Sequence, residues 1–356
     1  MRISFKEDSN PYKIKVVGVG GGGGNSINRM MDVGIDGVEF IAINTDAQVL
    51  SLSKAPYKIQ IGKKLTRGLG SGGDPEVGRS AIEEDKDEVR NALAKADIVF
   101  ITCGMGGGTG TGASSVVAQL AKSEGALTIG MVYAPFTFEC KVRIRQAKEG
   151  ICALREEADT VIVIPNDRLL NIGGQNTSIP KAFKKGDELL LEAITGISEF
   201  IIKPGLINLD LADIRAVMSE PGEAVIAVGK GYGEDRAIEA FEAAMNCILL
   251  GEASISRAKR MLINVRGDED HIVSEAISRI REVASEEANV IFGALVNGDK
   301  ANEVAITVIA TGVERKWKKK GVLEHMHLPY GRKNSNEVTH EHENLEIPTF
   351  VRHKVP

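Results

Sequence analysis

Short apolar runs alternate with helical patterns along the first half of the chain. Five runs are rich in Val and Ile and almost continuous in hydrophobicity, as parallel strands are when both faces of the sheet are covered. The predicted strands are Ile14–Val19, Val38–Ile43, Ile98–Thr102, Leu127–Tyr133 and Thr160–Pro165. Helical patterns lie between them, for example at Ala81–Leu93 and Val116–Lys122. This alternation predicts an α/β domain with a doubly wound parallel sheet.

A long helical pattern follows at Ile179–Lys203, and Pro204-Gly205 marks its end. Beyond it, four more strands are predicted at Ala224–Val228, Met261–Val265, Val290–Val296 and Val304–Ile309. Helices are predicted between these strands at Asp235–Leu250 and Ile272–Glu286. We therefore expect a second, smaller α/β domain, joined to the first by the long helix.

The remainder of the chain, from Val313 to Pro356, has a different character. It begins with a basic segment at 315–320, contains five of the six histidines and finishes with a small apolar cluster at Ile347–Val351. This composition indicates a flexible basic arm that carries a docking peptide at its end.

Composition excludes several classes of protein. The 356 residues are 43% apolar, which is enough for a packed core and argues against wholesale disorder. No apolar run approaches the roughly 18–20 residues of a membrane-spanning helix, so direct membrane insertion is not expected. The polar N-terminal segment shows no secretory signal, which favours a cytoplasmic location. The net charge of −5 argues against a nucleic-acid partner, and four scattered cysteines without a C-x-x-C pair favour reduced thiols.

Glycine is unusually abundant, with 39 residues, and many lie in three segments at 18–24, 68–78 and 104–112. The first segment follows a predicted strand and opens a predicted helix at Ser26–Met31, where backbone N–H groups can surround an anion. It satisfies G-x-G-x-x-G, and Glu39 lies about 20 residues further on, where a ribose-binding acid is found. A nicotinamide or flavin enzyme, another kind of phosphate loop and a structural turn all remain open here.

The segment Gly104–Gly112 changes this balance. It is a second glycine-rich link from a strand to a helix, whereas a dehydrogenase needs one such loop. Thr109 and Thr111 can donate hydroxyl hydrogens to phosphate oxygens, which a flexible hinge would not require. The chain has no G-x-x-x-x-G-K-[ST] motif, so it is not a P-loop NTPase.

The run Gly107-Gly108-Thr109-Gly110-Thr111-Gly112 resembles the signature of the tubulin/FtsZ superfamily, and the surrounding sequence resembles FtsZ more closely than tubulin. Supporting stretches are Val16–Asn25, Asn44–Gln48, Thr66–Gly70, Pro75–Arg79, Pro135–Glu139, Asn208–Asp213 and Val308–Gly312. The resemblance spans roughly residues 12–313, and Glu346–Arg352 resembles the family's C-terminal peptide. It implies five segments: a GTP-binding domain at 12–178, a central helix at 179–203, an activation domain at 204–313, a flexible linker at 314–344 and a partner-docking peptide at 345–356.

The same resemblance implies GTP or GDP as ligand, with Mg²⁺ carried by the nucleotide and not directly by the protein. The implied nucleotide-binding residues are Gly21, Gly22, Gly23, Gly24, Asn25, Gly70, Gly72, Gly73, Gly107, Gly108, Thr109, Gly110, Glu139, Arg143, Asn166, Phe183 and Asp187. Glu139 and Arg143 would contact the ribose and phosphates. Asn25, Asn166 and Asp187 would read guanine, with Phe183 stacked on the base. From the sequence alone, Phe183 could equally be a core aromatic, Asp187 a solvated helix position and Arg143 a surface cation.

The acidic loop Asn208–Asp213 supports two interpretations. From the sequence alone, Asp210 could cap a helix at Ala212–Met218, with Asp213 in its first turn. In the family, this loop enters the nucleotide pocket of the next subunit in a filament, where Asp210 and Asp213 would orient the attacking water and Asn208 would assist at the γ-phosphate. Hydrolysis would then depend on assembly, and the head-to-tail contact would generate a filament.

The resemblance also implies a cellular role. A protein of this kind would build the cell-division ring at midcell, with itself and membrane-tethering or division-regulating proteins as partners. The rival hypotheses are a filament protein with another role and a nicotinamide or flavin oxidoreductase.

Three departures from the family pattern stand out. Ser71-Gly72-Gly73-Asp74 replaces Ala-Gly-Ala-Asn, which is expected to add negative charge near the phosphates. Cys140 replaces a glycine near the nucleotide, where thiol reagents are expected to inhibit. Ser114-Ser115 replaces Ala-Pro after the signature.

Overall fold

Six parallel strands form the first sheet of the computed structural model, in the order β3-β2-β1-β4-β5-β6. The strands are β1 (Ile14–Val19), β2 (Val38–Asn44), β3 (Tyr57–Gln60), β4 (Ile98–Gly104), β5 (Leu127–Ala134) and β6 (Thr160–Pro165). The structure describes residues 12–35, 37–171, 178–202, 205–207, 210–220, 223–247, 258–267, 270–285, 287–296 and 302–313. The five predicted strands are confirmed. The sequence missed β3, because this edge strand has only four residues and its first two are exposed.

Twelve helices are found among these described residues. They are α1 (Gly20–Val33), α2 (Ala47–Ser51), α3 (Lys63–Thr66), α4 (Pro75–Glu84), α5 (Lys86–Leu93), α6 (Thr109–Ser123), α7 (Lys141–Glu157), α8 (Asn166–Asn171), α9 (Ile179–Ile202), α10 (Leu211–Met218), α11 (Arg236–Met245) and α12 (Asp270–Val283). Buried apolar side chains of β1, β4 and β5 form a core against the helices on the two faces of the sheet.

Two helix predictions need correction. The single helix predicted at Ala81–Leu93 is wrong, because the chain leaves helical geometry at Asp85 between α4 and α5. The Asp85 carboxylate accepts a hydrogen bond of 2.7 Å from the Gly62 N–H and so ties this break to the start of α3. The first helix begins at Gly20, inside the glycine run, and not at Ser26.

The second sheet has four strands in the order β7-β10-β8-β9. They are β7 (Glu223–Tyr232), β8 (Arg260–Gly267), β9 (Asn289–Val296) and β10 (Glu303–Val313). The central strand β10 is antiparallel to both β7 and β8, whereas β8 and β9 are parallel. The prediction of a smaller second α/β domain is therefore confirmed.

The long helix α9 connects the two sheets through its apolar face. Ile194 and Ile197 are fully buried in a core shared with residues of both sheets. Two ion pairs attach the helix to the second sheet: Glu192 with Lys230 at 2.7 Å, and Glu199 with Arg266 at 2.8 Å. Because one rigid helix contacts both sheets, its two ends occupy fixed and distant positions in the molecule.

No helix in the described ranges is long and apolar enough to cross a membrane. The predicted linker at 314–344, the docking peptide at 345–356 and the helix-ending Pro204 lie outside the described residues, as does Asn208.

Candidate functional site

A cleft of about 340 Å³ opens at the carboxyl ends of three central strands. Val19 ends β1, Gly104 ends β4 and Tyr133 lies near the end of β5, and all three line this cleft. The strand order reverses its direction of growth between β1 and β4. Ligands of doubly wound proteins bind at such a switch point, outside the carboxyl ends of the strands.

Two helices present uncapped N-termini to the cleft. Neither α1 nor α6 has a side-chain hydrogen bond to its first backbone N–H groups. By contrast, α2, α4 and α10 are capped by Asp46, Asp74 and Asp210 respectively. Free N–H groups and the positive end of the helix dipole make α1 and α6 a binding site for anions.

The glycines of the loop at 18–24 and of the loop at 104–112 serve different purposes. Gly20 has a φ of +70°, and a Cβ there would lie 2.9 Å from the Gly110 backbone nitrogen, so the two loops touch through bare backbone. An added Cβ on Gly21 or Gly107 would meet no described atom within 4 Å, and both residues line the cleft. Gly21 and Gly107 therefore leave open space in which a ligand can approach the backbone.

Eleven of the predicted nucleotide-binding residues line the cleft. They are Gly21, Gly22, Asn25, Gly107, Gly108, Thr109, Gly110, Glu139, Arg143, Asn166 and Phe183. Six do not line it: Gly23, Gly24, Gly70, Gly72, Gly73 and Asp187. Gly23 packs behind the loop, since a Cβ there would lie 2.3 Å from the Thr102 carbonyl oxygen.

Ser71 lines the cleft where the glycines around it do not. Its hydroxyl lies 3.1 Å from the Thr109 hydroxyl, which in turn lies 2.7 Å from the hydroxyl of Thr45. A Cβ on Gly108 would lie 2.2 Å from the Ser71 oxygen, so this loop packs directly on the signature loop. The hydroxyl groups of Thr45, Thr109 and Ser71 thus connect the end of β2 with the loop at 104–112 and with the loop at 70–74.

Glu139 and Arg143 form the rim of the cleft beside the signature loop. Their side chains make an ion pair of 3.0 Å, and Glu139 also accepts a hydrogen bond of 2.8 Å from the Phe136 N–H. Arg143 is about half exposed, yet it lines the cleft. It is therefore a surface cation and a cleft residue at once.

The far end of the cleft carries an aromatic group and an unsatisfied acceptor. Phe183 is half-buried, and Tyr133 and Phe136 contact it edge-on at centroid distances of 6.5 and 5.7 Å. Asn166 is 94% buried, and its Oδ1 atom has no hydrogen-bond partner among the described residues. A buried acceptor without a partner costs free energy, so this position fits a ligand that donates a hydrogen bond.

Asp187 is buried behind the cleft wall and is not a solvated helix position. Only 3% of the residue is exposed, and its carboxylate accepts hydrogen bonds from Ser26, Tyr133 and Arg29. Burial, reinforced by the neighbouring Asp187 charge, raises the pKa of Tyr133 well above its ordinary value. Sequence reasoning missed Ser26, Arg29 and Tyr133, although all three line the cleft.

The acidic loop lies far from this cleft in the same molecule. Asp210 and Asp213 form a capping box at the start of α10: the Asp210 carboxylate accepts from the Asp213 N–H at 2.8 Å, and the Asp213 carboxylate accepts from the Asp210 N–H at 3.5 Å. Phe183 is in the second turn of α9, whereas this loop follows its last turn. The helix α10 is held at the opposite edge of the first sheet, because Arg215 donates to the Gly125 carbonyl oxygen just before β5 and the Met218 carbonyl oxygen accepts from the Thr160 hydroxyl at the start of β6.

Comparison with known proteins agrees with this geometry. Residues 13–174 match the Tubulin/FtsZ family GTPase domain, and residues 222–314 match the FtsZ family C-terminal domain. A point mutant of FtsZ from M. jannaschii is 45% identical, with 85% of this chain and 91% of that chain covered and a TM-score of 0.78. The chain belongs to the FtsZ family. It is therefore a GTPase, and GTP and GDP are its nucleotides.

Two further structures extend the comparison. An empty FtsZ dimer from M. jannaschii is 43% identical, with 87% of this chain and 94% of that chain covered and a TM-score of 0.78. A GTPγS-bound protofilament of CetZ2 from Haloferax volcanii is 23% identical, with 85% and 94% covered and a TM-score of 0.69. The CetZ2 likeness is one of fold alone, whereas the FtsZ likeness extends to the sequence.

The structure locates all three departures from the FtsZ pattern. The Asp74 carboxylate accepts a hydrogen bond of 2.9 Å from the Glu76 N–H and caps α4, and Asp74 does not line the cleft. The Asp74 backbone packs on the cleft residue Gly108, and the expectation that Asp74 adds charge near the phosphates stays a prediction. Cys140 is exposed at the start of α7, next to the cleft residue Glu139. Ser114 and Ser115 are buried in α6.

A larger cavity of about 570 Å³ lies between α9 and the second sheet. Its lining includes both ion pairs that attach α9 to that sheet. Because these charges neutralise each other, the cavity concentrates no positive charge for a phosphate. The described residues contain no group of three or more His, Cys, Asp or Glu side chains arranged to hold a metal ion.

Proposed function

We propose that this GTPase assembles head to tail into filaments of the cell-division ring, and that each nucleotide is hydrolysed where two copies meet. The FtsZ dimer and the CetZ2 protofilament among the similar structures support self-association. The proposal assigns nucleotide binding to the cleft of one copy and water activation to the acidic loop of the next.

The phosphates would lie over the N-termini of α1 and α6, with the open faces of Gly21 and Gly107 against them. The hydroxyls of Thr109 and Ser71 would supply further donors. These oxygens also suit the water shell that Mg²⁺ retains, so the ion would be held mainly by the phosphates. Mg²⁺ would neutralise charge that develops on the phosphates during hydrolysis.

The base would occupy the other end of the cleft, against the Phe183 ring. Asn166 supports this orientation, because its buried Oδ1 acceptor needs a donor and guanine has N–H groups along one edge. Asp187 would read the same edge, since a carboxylate accepts from N1–H and the 2-amino group, a pair that adenine lacks. Asn25, Glu139 and Arg143 would contact the ribose and phosphates between the two ends, and Asn25 would also approach the base.

One observation carries the proposal of a shared site: the candidate catalytic acids lie at the opposite end of α9 from the cleft. Because α10 is held at the amino ends of β5 and β6, whereas the cleft lies at the carboxyl ends of the strands, Asp210 and Asp213 are kept away from the nucleotide of their own copy. A second copy placed head to tail can bring them there. Such a contact uses two different surfaces and does not close, so it continues as a filament.

The acidic loop would only need to position and polarise a water molecule. Phosphoanhydride hydrolysis depends mainly on positioning and on stabilising charge. Asp213 is half-buried and Asp210 is exposed, so both carboxylates can reach a partner surface. They would orient and polarise the attacking water, and Asn208 would assist at the γ-phosphate.

The test is the dependence of GTP turnover on protein concentration. Specific activity should rise steeply with concentration in GTP and Mg²⁺ and should be lost below the assembly threshold. A flat dependence would refute the shared site. ATP should not be hydrolysed.

Substitution of Asp213 tests GTP hydrolysis separately from GTP binding. Asp213→Asn keeps an amide oxygen for the capping box but removes the charge, so α10 should remain folded. GTP turnover should fall on the order of a hundredfold, while GTP affinity and the melting temperature stay close to those of the parent. Asp213→Ala should lose turnover equally; persistent turnover in both variants would remove Asp213 from the mechanism.

The role in division has its own test. The resemblance of Glu346–Arg352 to the family's C-terminal peptide supports a docking function. Deleting Leu345–Pro356 should leave assembly in solution intact and abolish recruitment to midcell. Unchanged localisation of the deletion variant would favour a filament protein with another cellular role.

A further inference from the structure

The carboxylate of Asp187 is screened from the cleft by the side chains that hold it. Ser26, Arg29 and Tyr133 line the cleft, and Asp187 does not. The Ser26 and Tyr133 hydroxyls donate to Oδ1 of Asp187 at 2.5 and 2.7 Å, and the Arg29 Nε–H donates to Oδ2. A base that enters the cleft meets these three donors before it meets the carboxylate.

The acceptor capacity of Asp187 is nearly used up by these bonds. An ionised carboxylate has about two acceptor positions on each oxygen. Ser26 and Tyr133 occupy both positions on Oδ1, whereas Arg29 occupies one position on Oδ2. One further donor can therefore be accepted on Oδ2, but a second, directed at Oδ1, must displace a hydroxyl that is already bound there.

The Tyr133 hydroxyl is a persistent donor. Its pKa is raised by burial and by the Asp187 charge, so the phenol keeps its proton at neutral and mildly alkaline pH. Its ring packs edge-on against Phe183 at 6.5 Å, which fixes the hydroxyl between the aromatic ring and the carboxylate. Tyr133 thus contacts two of the groups that the proposed function assigns to the base, Phe183 and Asp187.

We propose that the Tyr133 hydroxyl competes with the base for Asp187, and so sets how tightly and how selectively guanine is held. The inference rests on the proposed function, which assigns Asp187 to the guanine edge. Tyr133 is on this account a specificity-determining residue. The Tyr133 hydroxyl lies in the position that the second donor of guanine needs.

A comparison of the affinities for guanine and hypoxanthine nucleotides distinguishes this competition from a role of the Tyr133 hydroxyl in supporting the fold. Guanine presents two donors, N1–H and the 2-amino group, and needs an acceptor on each carboxylate oxygen. Hypoxanthine presents N1–H alone and can use the position that remains on Oδ2. Removing the hydroxyl should therefore help GDP and leave IDP almost unchanged.

The experiment compares GDP and IDP affinities of the full chain and its Tyr133→Phe variant by calorimetry or nucleotide competition. Phe keeps the edge contact with Phe183 and removes only the hydroxyl. We expect GDP to bind roughly tenfold more tightly, as for the gain of one hydrogen bond to a charged group, and IDP affinity to change less than about twofold. Tyr57→Phe, on the exposed edge strand, is the matched control and should change neither affinity.

Ser26→Ala provides a second test, because it removes the other donor to the same oxygen. It should also favour GDP over IDP. Equal losses for both nucleotides in Tyr133→Phe and Ser26→Ala would show that these hydroxyls only support the wall, and would overturn the inference. So would unchanged affinities in both.

The Asp187→Asn variant tests the assignment of Asp187 to guanine separately from the competition with Tyr133. If Asp187→Asn leaves GDP affinity unchanged, the assignment of Asp187 to guanine is itself wrong. If Asp187→Asn weakens GDP binding while Tyr133→Phe does not alter the GDP-to-IDP preference, the base assignment stands and the competition is refuted. A rise in that preference in Tyr133→Phe, with loss of GDP binding in Asp187→Asn, is the expected result.

Discussion

The cleft and the acidic loop are both built around the N-terminus of a helix, but they treat charge in opposite ways. At the cleft, α1 and α6 begin within glycine-rich loops, and no side chain caps their first N–H groups. At the acidic loop, α10 begins with a capping box of two aspartates that satisfies those groups internally. The first arrangement attracts an anion, whereas the second supplies negative charge of its own.

On the proposed function, this difference leaves neither region a complete active site. The cleft has donors for the phosphates, but its acids have other partners: Glu139 pairs with Arg143, and Asp187 lies behind the wall. The acidic loop has carboxylates that reach solvent, but its helix dipole is already satisfied by Asp210. On the proposed function, a nucleotide bound in the cleft needs the acidic loop of a second copy.

The largest effect should come from making the cleft resemble the acidic loop. Gly21→Asp places a carboxylate in the open space at the start of α1, where an added Cβ meets no described atom. The new charge would occupy the site of the phosphates and repel them, so GTP affinity should fall by at least about a hundredfold. Nucleotide titration measures this loss directly.

Gly21→Ala is the matched control, since it adds a side chain of minimal size without charge. Its affinity for GTP should fall only severalfold, and both variants should unfold at temperatures close to that of the nucleotide-free parent. If Gly21→Asp binds GTP as the parent does, the N-terminus of α1 is not the phosphate site.

Mixing two inactive variants should restore part of the activity. Gly21→Asp lacks a working cleft but keeps the acidic loop, whereas Asp213→Asn has a working cleft and lacks the essential charge. In an equal mixture, about one interface in four would combine the intact halves if subunits join at random and head to tail. Phosphate release measures the recovery. A mixture no more active than its components would contradict the division of the site between copies.

The main architecture could be predicted from the sequence because it depends on local pattern. Buried parallel strands are continuous apolar runs, and the five such runs of the first sheet were found where they occur. The start of α1 at Gly20 was not predictable, because glycine has low helix propensity and only the contact between the two loops holds it there. The break at Asp85 depends likewise on its bond to Gly62, 23 positions away.

The candidate site was predicted where a motif carries it and missed where tertiary contacts do. Tyr133 was assigned only as a strand residue, because its hydroxyl partner lies 54 positions further along the chain. Arg29 and Ser26 meet Asp187 across still longer separations. Side chains that act through such distant partners leave no periodic or spacing signal in the sequence.

The smallest effect is expected at Asp74, and it tests whether a helix cap near the cleft belongs to the site. Its carboxylate caps α4, so Asp74→Asn should keep the cap while removing the charge, because Asn is as good an N-cap as Asp. GTP turnover and its Mg²⁺ dependence should change by less than about twofold, the range of an exposed charge beyond direct contact. A larger rise in turnover, or a shift in the Mg²⁺ concentration for half-maximal activity, would mean that the Asp74 charge reaches the phosphates. The loop at 70–74 would then move inward on nucleotide binding, and an aspartate that caps a helix beside the cleft would also act on the phosphates.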